Sequence, residues 1–243
     1  APAASAPPPG SKVVLPAERG DGMQISSAFV KDPVKGLCQA YTIQNMGQAP
    51  LSGFAVQFNK NTFGVTAPAA TLGEVLPPQI MPGQSATGLV PLQPSGPPAA
   101  DTPPGVIQIA VKNNVKVYYF QDSLDVLLFL TPDARLDKGV FLEQWKSLTA
   151  TETLNASALP PQAENVEAVC PKMEAANVFF IARRKLPDGA DMVYFSVKTL
   201  NNVVMLAELG FRPGSGTCSI VVKSAQGLYM PLLAASIEKL LRS

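Results

Sequence analysis

The sequence predicts two subdomains, an N-terminal immunoglobulin-like β-sandwich followed by an α+β domain with a four-stranded antiparallel sheet and helices. Three observations predict it. Between Gly22 and Leu130 the chain reads as short β-branched and aromatic runs broken by Gly, Pro and Asn, with no helical period. After Pro132 come two helical stretches, four strands and a closing amphipathic helix, the order of an α+β layer domain. Ahead of both, residues 1–20 hold five prolines, Pro7-Pro8-Pro9 among them, with Ala, Ser and Gly, which reads as a linker.

In the first subdomain, 21–131, the candidate strands are 23–30, 38–45, 53–59, 85–90, 106–112, 115–121 and 124–130. Between Val90 and Val106, Pro91, Pro94, Pro97, Pro98, Pro103 and Pro104 predict a long surface loop that holds no strand. In the second, 132–243, residues 138–148 place Val140, Phe141, Trp145 and Leu148 at helical spacing. Residues 160–176 put Val166, Val169, Cys170 and Met173 on one stripe, with Pro171 expected to kink or split the helix. Four strands follow at 177–184, 192–200, 203–211 and 217–224, joined by turn-rich links such as Pro187-Asp188-Gly189. Residues 226–241 close the chain as an amphipathic helix carrying Leu233, Ile237, Leu240 and Leu241.

Composition narrows the chemistry. With 47% apolar residues in 243, the chain can build real cores, and 19 basic against 18 acidic residues leave no net field for a nucleic-acid backbone. No nucleic-acid partner is expected. Histidine is absent, which excludes Ser-His-Asp and Cys-His mechanisms and removes the commonest metal ligand. Cys38, Cys170 and Cys218 are scattered, form no CxxC pair, and read as small buried hydrophobes in a reducing compartment. No metal, no cofactor and no enzymatic activity are expected. Ser236-Ile237-Glu238-Lys239 fits S-x-x-K without its companion elements, and Gly214-Ser215-Gly216 lacks the Lys-Ser/Thr of a phosphate loop. Apolar runs such as 126–130 are too short to span a bilayer, so no direct membrane insertion is expected. Without an initiator Met or a signal-like segment, the chain reads as a piece of a longer polypeptide.

What remains is a surplus of aromatics and amides. Trp145, the sole tryptophan, is either core or a partly exposed stacking plate of the kind that anchors peptides. Strand period turns Val193, Phe195 and Val197 inward and leaves Tyr194, Ser196 and Lys198 on the other face. The same rule sends Cys218, Ile220 and Val222 in, and Thr217, Ser219, Val221 and Lys223 out. Glu208 is alone in an apolar run, so it either pairs with Arg184 or Lys223 or points into a polar pocket. In 115–120, Val115, Val117 and Tyr119 share one face and Lys116, Tyr118 and Phe120 the other, and period with the valines inward exposes Tyr118.

Four blocks carry a family resemblance: FAVQFNKNTFGV (54–65), IQIAVKNNVKVYYF (107–120), VFLEQW (140–145) and MLAEL (205–209). Over roughly 11–243 the chain resembles the C-terminal appendage, or ear, of the beta subunit of clathrin adaptor complexes. The resemblance implies a sandwich followed by a platform subdomain, with a platform peptide-binding pocket at Trp145, Tyr194, Arg184, Glu208 and Lys223. It further implies a sandwich site at Tyr119, near Gln57, Gln108 and Lys112, and so favours Tyr119 over Tyr118 as the exposed tyrosine. One departure stands out: the family's platform has an acidic residue where this chain has Thr153, with Glu152 beside it. The implied partners are disordered accessory and endocytic proteins with Phe-containing motifs, clathrin, and the remaining adaptor-complex subunits through the parent chain. The implied location is the cytoplasmic surface of clathrin-coated vesicles, pits or trans-Golgi membranes. A different class, an extracellular adhesion-type β-sandwich with an appended α+β domain, would call for disulfides that three scattered cysteines do not suggest.

Overall fold

The computed structural model describes residues 7–96 and 98–243. Residues 1–6 of the expected linker, and Pro97 of the expected loop, lie outside the described residues. The chain divides into two compact units, one ending at Leu124 and the other spanning Asp125–Ser243.

The first unit holds β1 (Lys12–Leu15), β2 (Met23–Asp32), β3 (Gly36–Asn45), β4 (Ala55–Phe58), β5 (Ser85–Pro91), β6 (Val106–Lys112) and β7 (Val117–Ser123). They form a four-stranded sheet in the order β1-β2-β3-β5 and a three-stranded sheet in the order β7-β6-β4, all neighbours antiparallel. Ile25, Tyr41 and Ile43 from the first sheet and Val56, Ile107 and Val111 from the second are buried. Burial of apolar area on this scale is what stabilises a sandwich. A polar chain runs through that core. Asp122 accepts hydrogen bonds from Gln39 Nε2 at 2.9 Å and from Ser27 Oγ, and Tyr41 donates to Gln39. Lys12 Nζ closes it at 2.8 Å from Asp122, so β1 is tied to the sandwich by charge as well as by its ladder with β2.

Three expectations are corrected here. Lys12–Leu15 is a strand and not linker, because its ladder and Lys12 both find partners. The Pro-rich stretch does hold a two-residue strand, Gln93–Pro94, paired with Val65–Thr66 at an edge where proline costs no ladder bond. Residues 124–130 are not a strand. Asp125 caps a 3-10 turn, Val126–Phe129, by accepting from Leu127 N at 3.0 Å, and Ser236 Oγ donates to the same carboxylate at 3.0 Å.

In the second unit, α1 (Lys138–Ser147) precedes β8 (Thr151–Ala156), and α2 (Val166–Ala175) precedes β9 (Phe179–Lys185), β10 (Asp191–Lys198), β11 (Val204–Arg212) and β12 (Thr217–Ser224). α3 (Met230–Arg242) closes the chain. The sheet is antiparallel, ordered β8-β12-β11-β10-β9, and has five strands where the sequence predicts four. β8 escaped notice because only Ala156 of its six residues is buried, so no apolar alternation marks it. Pro171 neither splits nor ends its helix. The break falls at Asn165, which caps α2 by accepting from Glu167 N at 3.1 Å. Phe195, Leu209, Phe211, Ile220 and Val222 are buried on the sheet face covered by α2 and α3, with Leu233 and Ile237 buried on α3. The opposite face is left to α1 and to the residues of interest.

Candidate functional site

Asp137 starts α1 by accepting from Gly139 N at 2.7 Å, which fixes where its side chains emerge. Phe141 and Trp145 are then four residues apart on one helical face, and their rings stack at 5.7 Å and 13°. Phe141 is only 2% exposed, whereas Trp145 is half-buried. Tyr194, from β10, meets both edge-on, at 6.0 Å from Trp145 and 5.7 Å from Phe141. The trio lines a hollow of about 360 Å³. Leu142, 46% exposed, and Ile181 extend its apolar wall, while Lys138 and Arg184 stand on its rim.

Strand register explains the company Tyr194 keeps. Ala182, Tyr194, Glu208, Val221 and Thr153 follow one another across β9, β10, β11, β12 and β8, all on the outward face. Burial first, then hydrogen bonding to and the charge of Glu208, pushes the Tyr194 phenol up to about 12. Among the described residues Glu208 has no ion pair, so the structural salt bridge does not describe it; it stands beside Tyr194 and is not among the residues lining the hollow. Arg184 is also without an ion pair among the described residues, in contrast to Arg183, whose guanidinium forks onto Asp191 with two bonds of 2.8 Å. Lys223 Nζ lies 4.7 Å from the centroid of the Trp145 ring and donates to the carbonyls of Trp145 and Leu148. All five platform residues singled out by resemblance therefore come from the outward face or from α1 above it. Thr153 is exposed in the Tyr194 row, and Glu152, one residue away, alternates to the other face opposite Val222. It cannot supply the missing acid.

Phe141, Leu142, Ile181 and Lys138 were not identified as site residues from the sequence. Lys138 carries one readable signal, a cation in the first turn of a helix, where the macrodipole disfavours it.

The second group sits on the outer face of β4, β6 and β7. Gln57, Ala110 and Tyr119 are directly opposite one another across the three strands, with Lys112 and Val117 paired in a neighbouring row and Gln108 opposite Gln121. Tyr119 is 67% exposed and Val117 40%, while Tyr118 is 3% exposed and donates to Asp21 at 3.3 Å. The alternation read from sequence is correct and its sides are reversed: the valine face is the outward one. No bulge interrupts the β6–β7 ladder. A shallow hollow of about 430 Å³ opens beside Tyr119 and Gln108, with Val14 and Arg19 on its far side. A larger hollow, about 530 Å³, is lined by loop residues such as Asn59, Lys60, Ser95 and Asp101 and by none of the residues above.

Among the described residues no cluster of His, Cys, Asp and Glu could hold a metal ion, and no helix is long and apolar enough to cross a membrane. Cys38 and Cys218 are buried, Cys170 is half-buried, and all three are free thiols.

Residues 131–241 match the family described as Beta2-adaptin appendage, C-terminal sub-domain. The chain is similar to AP-1 complex subunit beta-1 of Homo sapiens, 33% identical over 207 residues that cover 85% of this chain and 21% of that protein. AP-1 complex subunit beta-1 of Mus musculus is 32% identical over 211 residues, 87% of this chain and 22% of that protein. AP-1 complex subunit beta of Dictyostelium discoideum is 27% identical over 235 residues, 95% of this chain and 24% of that protein. The chain thus spans about a fifth to a quarter of the length of these curated relatives.

Proposed function

Since residues 131–241 belong to the beta-adaptin appendage family, in a chain homologous to the C-terminal region of AP-1 beta subunits, we propose that it recruits accessory proteins by capturing short Phe-containing segments. The family is one of vesicle-trafficking adaptors and not of enzymes. The observation that carries the reading is the open aromatic hollow at Trp145, Phe141 and Tyr194, with Lys138 and Arg184 beside it and without an ion pair among the described residues. A preformed apolar hollow on a helix and a sheet suits an amphipathic helix laying aromatic side chains into it. Arg184 at the hollow and Glu208 beside Tyr194 would read charge on such a ligand, an acidic residue for the first and a basic one for the second.

The outer face of β4, β6 and β7 is the second proposed site. Tyr119 and Val117, with the amides Gln57 and Gln108 and with Lys112, offer one exposed aromatic and one exposed aliphatic side chain in hydrogen-bonding surroundings, suited to an extended Phe-containing segment or a clathrin contact. The parent chain would carry both sites on a coat at the cytoplasmic face of a membrane, and joint use of the two would raise weak single affinities through avidity.

Calorimetric titration of the chain with a helical peptide carrying two Phe residues and a distal Arg tests the platform assignment. Binding abolished by Phe→Ala in the peptide and by Trp145→Ala in the protein is expected. Binding untouched by Trp145→Ala places the ligand elsewhere.

A further inference from the structure

We propose that Lys223 sets the Trp145 plate in its binding pose, acting through the indole and not on the ligand; the inference rests on the peptide-binding reading of the hollow. Lys223 stands on β12, opposite Thr151 on one side and Leu206 on the other, with its side chain half-buried. Its ammonium donates to Trp145 O at 3.0 Å and Leu148 O at 3.2 Å, and faces the Trp145 ring from 4.7 Å. An ammonium has three N–H groups, and two carbonyls and a ring face use all three. None is left for a ligand carboxylate. The carbonyls it takes belong to the last turn of α1 and its cap, which lack intrahelical partners, and a cation there also meets the negative end of the helix dipole. One side chain therefore ties down both the backbone and the ring of the same tryptophan. Charge reading falls to Arg184 and Lys138, which have no ion pair among the described residues. Lys223 is a positioning residue.

Trp145 is the sole tryptophan, so the emission of the free protein reports on this one contact without any ligand. Lys223→Met, Lys223→Gln, Lys223→Arg and Arg184→Gln are compared with the unmodified chain, each with a melting curve. Two helical Phe-containing peptides are titrated, one with acidic side chains and one without. Lys223→Met should change the emission of the free protein and weaken both peptides equally, by about tenfold. Lys223→Gln, which keeps donors but no charge and covers the case that Met does not fold, should fall between. Lys223→Arg should restore both readouts, and Arg184→Gln should weaken only the acidic peptide. An unchanged emission, or a loss confined to the acidic peptide, overturns the proposal. Should the unmodified chain bind neither peptide while the emission still shifts with Met and returns with Arg, the positioning role stands and the peptide-binding reading fails.

Discussion

Phe141 and Trp145 stack on one another, and their burial separates their tasks. Phe141, 2% exposed, belongs to the fold, and Phe141→Ala should cost about 3–5 kcal/mol of stability by chemical denaturation. Trp145 is only half-buried, so Trp145→Ala should cost about 2 kcal/mol or more in peptide binding. Its effect on the denaturation midpoint should be clearly smaller than that of Phe141→Ala. Tyr194 and Cys218 set an alkaline limit. Burial pushes the Cys218 thiol from 9.0 to about 12, and burial with Glu208 pushes the Tyr194 phenol from 10.0 to about 12. Both folded values are raised, so the stability they contribute is complete below the unfolded values and is lost as pH rises from about 9 towards 12. Denaturation midpoints across that range should fall. Cys218→Ala should remove the earlier part of the fall, and Glu208→Gln should lower the Tyr194 titration seen by ultraviolet absorbance. Glu208 itself was half legible in the sequence: a lone carboxylate in an apolar run signals a special place. Which place required the register that sets it beside Tyr194.

At the scale of elements, the β6–β7 hairpin shows what period can and cannot tell. Alternation sorts Val115, Val117 and Tyr119 from Lys116, Tyr118 and Phe120, but it does not say which set is inside. Pairing does. The turn at Asn113–Lys116, held by Asn113 N donating to Lys116 O at 3.1 Å, puts Tyr118 opposite Val111, and Val111 is fully buried with Ile107. Residues opposite each other share a face, so Tyr118 goes in and Tyr119 out. Tyr118→Ala should therefore cost about 3–5 kcal/mol of stability and Tyr119→Ala no more than about 0.5 kcal/mol, as read by chemical denaturation. The Asp122 network lay beyond sequence reading for a different reason: Ser27, Gln39 and Lys12 reach it from three other strands. Removing that buried acceptor strands its donors, and Asp122→Ala should cost about 3–5 kcal/mol, with β1 amides losing hydrogen-exchange protection first. β8 was illegible because an exposed edge strand needs no apolar pattern. Thr153 and Glu152 could be assigned to opposite faces only once that strand was known.

The whole molecule pairs two units, and each candidate site is made from residues of one unit alone. Sites that share no residue should be energetically independent for separate ligands. On the proposed reading, Trp145 marks a peptide-binding hollow distinct from the Tyr119 face. The most direct test of that reading titrates the unmodified chain, Trp145→Ala, Tyr119→Ala and the double variant against a helical Phe-containing peptide and an extended one. Trp145→Ala is expected to abolish helical-peptide binding and spare the extended peptide, Tyr119→Ala to do the reverse, and the double variant to show the sum. Loss of both ligands from Trp145→Ala with an unchanged melting curve, or retention of the helical ligand by that variant, would contradict it.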